Sequence, residues 1–267
     1  MASSHTFYTF GANMSKGKCT AVTSAATGYP KENLFDNNPD TYWKPTSTAD
    51  QTLTFDLGST KSIGAVFIFC HNWTTDHVNS LNATILLEHS DNGSSWTGTS
   101  IEVLGTSLGV TNPMANPAFT GLPLSHRYWR VTLGTMATTI ELSGVFFCTT
   151  RSVTIGNMLP EDDPEWYANR TTQATGGRVF AQGINRNELF EFVLRFKISG
   201  TTNFQALQNA YRDSFGDLWP LIWLPNGGTY KLVRFSGKFH ANQKQYQYYE
   251  PEVRLITLPY AYPGEGY

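Results

Sequence analysis

Residues 29–43, Tyr-Pro-Lys-Glu-Asn-Leu-Phe-Asp-Asn-Asn-Pro-Asp-Thr-Tyr-Trp, constrain this chain more than any other stretch. An apolar pair, Leu34 and Phe35, stands directly ahead of a loop dense in oxygen-bearing side chains, and Thr41 and the large aromatic Trp43 close it. Asn, Asp and Pro at this density interrupt regular structure and make turns. The flanking apolar residues are therefore what reaches a core. Short runs follow. Leu53 and Phe55 alternate with threonine, a period of two, and Ala65–Cys70 is a continuous apolar run of the kind buried on both faces. Thr84–His89 reads as a strand that ends at the turn Asp91-Asn92-Gly93. Tyr128–Leu133 and Leu142–Cys148 read as two more strands, and no amphipathic helix is expected before residue 150.

Composition narrows the class. Aromatics make up 14% of the 267 residues and charged residues only 15%, a balance that suits β-rich cores and leaves little solvating charge. The net charge of −2 and the lack of a local Lys/Arg cluster argue against nucleic acid as a partner. No run approaches the length of a membrane span. Met1–Thr6 has neither a cationic start nor an apolar stretch, so no secretory signal is expected. Cys70 and Cys148 each end an apolar run, which favours buried thiols and a reducing compartment over a disulfide frame.

In order and spacing, five pieces resemble a discoidin domain, the F5/8 type C, galactose-binding-like β-sandwich. They are Leu34 to Trp43, Leu53-Thr54-Phe55-Asp56-Leu57-Gly58, Ile63 to Ile68, Ser90 to Trp96, and Arg127-Tyr128-Trp129-Arg130-Val131. The resemblance spans about residues 20–148. It implies a binding module rather than an enzyme, with Trp43, Trp96 and Trp129 as core residues. Many such domains join their two ends by a disulfide; Cys148 stands near that place, but Cys19 lies on the first strand rather than ahead of it.

The resemblance suggests two sites. In related carbohydrate-binding modules the loop matching 36–41 often holds a structural calcium, and Asp36, Asp40 and Thr41 match its ligands. Asn37 stands where glycine is usual, and Gly144 takes the place of a last-strand glutamate, with Glu141 out of register. The alternative is a loop closed by its own hydrogen bonds. The second candidate is the loop after the apolar run. Trp73 offers a flat face for a sugar ring and His71 and Asn72 offer polar partners, with Tyr29 approaching from a neighbouring loop. The alternative there is that Trp73 covers the sandwich edge or packs against the second domain. Nothing marks catalysis: Glu161, Asp162 and Asp163 sit in a proline-flanked loop that reads as a solvated surface, and no nucleophile elbow, zinc motif or phosphate loop occurs.

After about residue 150 the grammar changes. Arg178–Gln182 and Glu188–Phe196 read as strands. Thr201 and Thr202 can cap a helix over about 203–215 whose stripe is Phe204, Leu207, Tyr211 and Phe215, with Gly216 placed to end it. Strands are expected at 219–224, 230–235, 246–249 and 252–258, the first two joined at Asn226-Gly227-Gly228. Phe192 to Phe196, Leu207 with Tyr211, Trp219-Pro220-Leu221-Ile222-Trp223 and Val233-Arg234-Phe235 resemble bacteriophage tail-tip proteins built on the tail-tube fold, including distal tail proteins.

The expected fold class is mainly β: a galactose-binding-like β-sandwich (jelly roll) at 15–150, then a tail-tube-like β-sandwich or half-barrel with one helix at 151–267. Residues 1–14 form an N-terminal arm whose strand, Thr6 to Phe10, can be part of the second domain, with the discoidin module inserted after it. The two resemblances together imply a structural tail-tip or baseplate protein of a phage virion, assembled in the host cytoplasm. It would form a homo-oligomeric ring, expected to be a hexamer, that contacts the tail tube protein and the baseplate hub and displays the discoidin module toward tail proteins or host glycan. The alternatives are a free carbohydrate-binding protein, an accessory module of a glycan-degrading enzyme, and a discoidin fold that only bridges proteins.

Overall fold

Ser3–Thr9 forms the first strand, β1, in this computed structural model of the chain. The structure describes residues 3–10, 18–35, 41–70, 85–99, 118–136, 138–155, 165–167, 171–173, 179–181, 189–195, 198–216, 220–225, 230–237, 239–245 and 248–257. They fall into two units: a module over Phe10–Thr150, and a second unit made of Met1–Thr9 together with Arg151–Ala261.

The module is organised by one long strand. β2 (Cys19–Val22) pairs with the start of β3 (Gln51–Cys70), and β4 (Ile85–Ser90) carries β5 (Thr97–Thr99) on one side. β6 (Ala118–Leu133) lies between β4 and β3, and β7 (Leu142–Ile155), whose residues up to Thr150 belong to this unit, pairs with the end of β3. All of these pairings are antiparallel. The two expected apolar segments, around 53–57 and 65–70, are thus one strand. Register shifts between Asp56 and Lys61 and between Ile63 and Ala65 bend it, and Gly58 at φ 80° supplies the left-handed residue that the bend needs. A strand that bends in this way can pair in two layers and so wrap a core.

Alternation explains that core. Leu53, Phe55 and Leu57 on β3 face Val131 and Trp129 on β6, all buried. Phe55 meets Phe35 and Phe147 edge to face at 6.2 and 4.9 Å, geometries that the aromatic quadrupole favours. Leu34 and Phe35 reach the core from a 3-10 turn, Lys31–Phe35, the one helical piece among the described residues of the module. Trp43 and Trp129 are fully buried. Trp96 departs from its expected core role. It is half-buried, and the Arg130 guanidinium lies over its ring at 4.5 Å, so it covers the charged pair Arg130–Glu88 rather than filling the interior. Cys19 and Cys148 are both buried free thiols, and burial pushes the Cys19 thiol up to about 12.

The second unit is also antiparallel. Its short strands are β8 (Glu165–Tyr167), β9 (Thr171–Gln173), β10 (Val179–Ala181), β11 (Leu189–Arg195) and β12 (Ile198–Ser199). The helix α1 (Thr201–Asp213) follows, then β13 (Leu221–Leu224), β14 (Lys231–Phe235), β15 (His240–Gln245) and β16 (Tyr248–Thr257). The strand order is β1-β13-β14-β16-β11-β8, with β12 and β15 also on β16, while β9 and β10 pair apart. β1 pairs with β13 in the register Phe7↔Trp223. Strands expected at 246–249 and 252–258 are the single β16, and β15, a run of polar residues, is an addition to the expected set. The core joins Phe7, Val153, Trp223, Val233, Phe235 and Leu255 to Leu207 and Ala210 of α1.

Both ends of α1 differ from expectation. Its N-cap is Gly200 at φ 89°, and neither Thr201 nor Thr202 caps it, because the helix begins at Thr201 itself. At the other end Phe215 N–H donates to Arg212 O and Gly216 N–H to Tyr211 O, a Schellman-type closure. The left-handed residue at that closure is Phe215, at φ 51°, with Gly216 following at φ 74°. Phe215 lies beyond the helix and is 60% exposed, so it does not complete the buried stripe. Arg151 reaches the helix end and holds Asp213 Oδ2 at 3.1 and 2.8 Å, which offsets an anion set against the helix dipole. A side chain with a Cβ in the left-handed region costs about 1 kcal/mol. Phe215→Gly is therefore expected to raise the midpoint of denaturant unfolding of this unit; a lowered midpoint would mean that the phenyl ring contributes more than the backbone strain costs.

Candidate functional site

The module presents one composite surface at the end of its strands where Gln51 faces Leu133. Its anchor is Trp43. The Trp43 amide donates to Leu142 O at 2.8 Å and its carbonyl accepts from the Leu142 amide at 2.9 Å. The indole Nε1–H donates to Ser24 O at 3.0 Å. With Trp43 turned inward, the extended backbone turns its neighbours Tyr42 and Lys44 outward, and both are half-buried. Asn33 Nδ2 donates to Tyr42 O at 2.9 Å, and the Ala26 amide donates to Lys44 O at 2.8 Å, so this segment is tied on both sides.

Tyr29 follows the turn at Gly28, where φ is 86° and the Tyr29 amide donates back to Ala26 O at 3.0 Å. The turn lays the Tyr29 ring on Tyr42, with centroids 4.8 Å apart and planes 21° apart. Lys44 Nζ lies 5.9 Å from the Tyr29 centroid and 2.7 Å from Glu141 Oε1. Glu141 arrives here because its neighbour Leu142 is bridged to Trp43. The Tyr42 hydroxyl is pushed up to about 12, first by its hydrogen bond with Tyr29, then by burial and by the nearby Glu141 carboxylate. The surface thus offers aromatic faces, phenol hydroxyls, an ammonium donor and a carboxylate acceptor within one patch. Those are the groups that hold a polyhydroxylated ligand: apolar C–H faces on rings, hydroxyls on a donor and an acceptor.

Two further carboxylates of the module are held by arginines. Arg127 holds Asp56 through two bonds of 2.8 Å and brings its carboxyl down to about 2. Arg130 holds Glu88 through two bonds of 2.6 Å, and this pairing likewise lowers the Glu88 carboxyl. Both stay ionised near neutrality and have no proton to give.

Of the residues singled out from the sequence, Tyr29 stands in this patch. His71, Asn72 and Trp73 lie outside the described residues, as do Asp36 and Asp40. Thr41 is half-buried beside Tyr42. Of the calcium ligands expected from the sequence, only Thr41 is among the described residues. Glu141 is engaged by Lys44, and Gly144, at the position where a glutamate ligand was sought, has the Phe146 ring against it so closely that a Cβ would lie 2.6 Å from the ring. Tyr42, Lys44 and Glu141 were not anticipated as site residues. The available signal was that each flanks an inward apolar residue, Trp43 or Leu142.

Residues 18–142 match the F5/8 type C domain, so the N-terminal half of the chain carries a discoidin-type module. No curated protein matches the chain. Among solved structures, CBM32-3 of a family 31 glycoside hydrolase from Clostridium perfringens shares 19% identity over 52% of this chain and 96% of its own, with a TM-score of 0.40. A labelled mutant of chitosan-binding module 1 of a chitosanase/glucanase from Paenibacillus sp. IK-5 shares 14% identity over 53% of this chain and 99% of its own, with a TM-score of 0.39. The lectin domain of lectinolysin, complexed with Lewis B antigen, shares 19% identity over 51% of this chain and 94% of its own, with a TM-score of 0.38.

The tyrosine pair gives a direct check. In an alkaline ultraviolet titration one phenol is expected to ionise near 12 rather than at the ordinary 10. Tyr29→Phe should bring it down most, because its hydrogen bond is the largest cause, and Glu141→Gln by less.

Proposed function

We propose that this protein is a non-catalytic carbohydrate-binding protein whose F5/8 type C module contacts glycan through the Tyr29–Tyr42–Lys44–Glu141 surface. The observation that carries the reading is the juxtaposition, on such a module, of a stacked tyrosine pair with a lysine–glutamate pair. A pyranose ring would lay its C–H face on Tyr29, while Lys44 donates to one hydroxyl and Glu141 accepts from a neighbouring one. Trp73, with His71 and Asn72, would add contacts from the following loop. Because the ion pair already satisfies its own charges, the ligand favoured is an uncharged sugar whose hydroxyls slip between the partners.

The test is a glycan array followed by calorimetry on the full chain. Tyr29→Ala and Lys44→Ala are each expected to weaken a captured neutral glycan by about tenfold or more, about 1.4 kcal/mol. Unchanged affinity in both variants would refute the placement of the site, and an array with no ligand would refute glycan binding itself.

A second reading is a tail-tip or baseplate protein that forms a ring, with the tail tube protein and hub as neighbours and the virion as its location. It is favoured by the composition of the second unit, in which β1, from before the module, pairs with β13, so that the module is an insertion in that unit. Copies repeated around a ring would raise weak sugar contacts to useful avidity. Light scattering and electron microscopy at high concentration separate the readings: closed rings support this one, and a strict monomer, even with a tube protein added, removes it.

A further inference from the structure

The other end of the module's strands holds a separate cluster. β4 carries His89 near its end and β6 carries His126, and their imidazoles stack with centroids 3.8 Å apart and planes 15° apart. Trp129 closes the inner side, its ring 5.9 Å from His89 and 6.1 Å from His126. His126 Nδ1 lies 2.8 Å from Asp91 Oδ1, in the turn that leaves β4. Within that turn the Gly93 amide donates to Ser90 Oγ at 3.0 Å, and the Ser94 and Ser95 amides donate to Asn92 Oδ1 at 2.9 Å. The turn is internally closed, and the Asp91–His126 contact is a side-chain tie from it to β6.

Charge decides how this arrangement responds to acid. Asp91 is the anion in contact with the pair, and its side chain is 77% exposed. Lys61 of β3 stands opposite His126 in the register and adds positive charge. Arg127 on β6 is committed to Asp56, and Arg130 to Glu88. One imidazolium beside Asp91 is therefore compensated. A second one, stacked at 3.8 Å, meets a like charge without an anion of its own among the described residues.

We infer that His89, His126 and Asp91 form an acid-sensitive latch: the stack of His89 on His126 seats the 91–95 turn on β6, and protonation of His89 breaks the stack and loosens the turn. Burial, and then the charge of His126, hold His89 below the ordinary 6.5, with Asp91 pulling the other way. The sign follows from linkage. An unfolded or released His89 protonates first as the pH falls through 6.5, so the latch is at full strength above that value and weakens from there down to the depressed value.

The experiment is a nuclear magnetic resonance titration of the full chain from about pH 7.5 to 4.5, at which His89 spans its charge change. The His89 ring signal is expected to titrate below 6.5, and the amides of Asn92, Gly93, Ser94 and Ser95 to move with the same midpoint. Asp91→Asn should lower that midpoint further, and His89→Gln should leave the turn amides still across the range. Turn amides that ignore the His89 titration, or that move unchanged in His89→Gln, would overturn the inference. If His89→Gln does not fold, the wild-type titration decides alone.

Discussion

The paired backbone hydrogen bonds between Trp43 and Leu142 are what the module's surface depends on. They join segments about a hundred positions apart and fix which side chains turn inward. Trp43 and Leu142 enter the core, both at 0% exposure, so their neighbours must emerge. Lys44 and Glu141 emerge side by side, and Tyr42 emerges where the Gly28 turn brings Tyr29. The ligand-type surface is thus a by-product of core packing on the opposite face of the same backbone. Breaking the bridge would leave the core short of a large aromatic and scatter the patch in one step.

The parts of this arrangement that were legible in the sequence are those written as local pattern. Leu34, Phe35 and Trp43 announce a core around an irregular loop, and the Leu53–Phe55 alternation and the apolar run to Cys70 announce strands. Tyr29 was legible as an aromatic beside a loop. Lys44 and Glu141 were not, because a lone surface charge carries no periodic signal and their pairing spans 97 positions. Trp96 misled because the discoidin resemblance puts it at a core position, whereas here it is a cover for the Arg130–Glu88 pair. β15 was missed for the converse reason: His-Ala-Asn-Gln-Lys-Gln has no apolar alternation, and its place in the sheet comes from pairing with β16. The helix start was misplaced because Gly200 turns the chain by its positive φ, a role that composition does not distinguish from an ordinary loop glycine.

The two ends of the module divide two kinds of chemistry. At one end lie a stacked tyrosine pair and an ion pair that is already neutralised, a setting whose hydrogen-bonding capacity changes little near neutral pH. At the other lie two stacked imidazoles, of which His89 is held below its ordinary value by burial. Between them the Arg127–Asp56 and Arg130–Glu88 pairs remain charged near neutral pH and keep the sheet face constant.

The pairing of β1 with β13 sets a schedule for synthesis. Thr6 finds its partner at Leu224, so one edge of β1 stays open until more than two hundred further residues exist, whereas its other edge pairs with β7. At ordinary elongation speeds that interval is roughly 10–40 seconds. During it the intervening module can complete its own antiparallel pairings, and β7 can cover one edge of β1 before β13 closes the other. The fold therefore closes one edge of β1 early, with β7, and the other late, with β13.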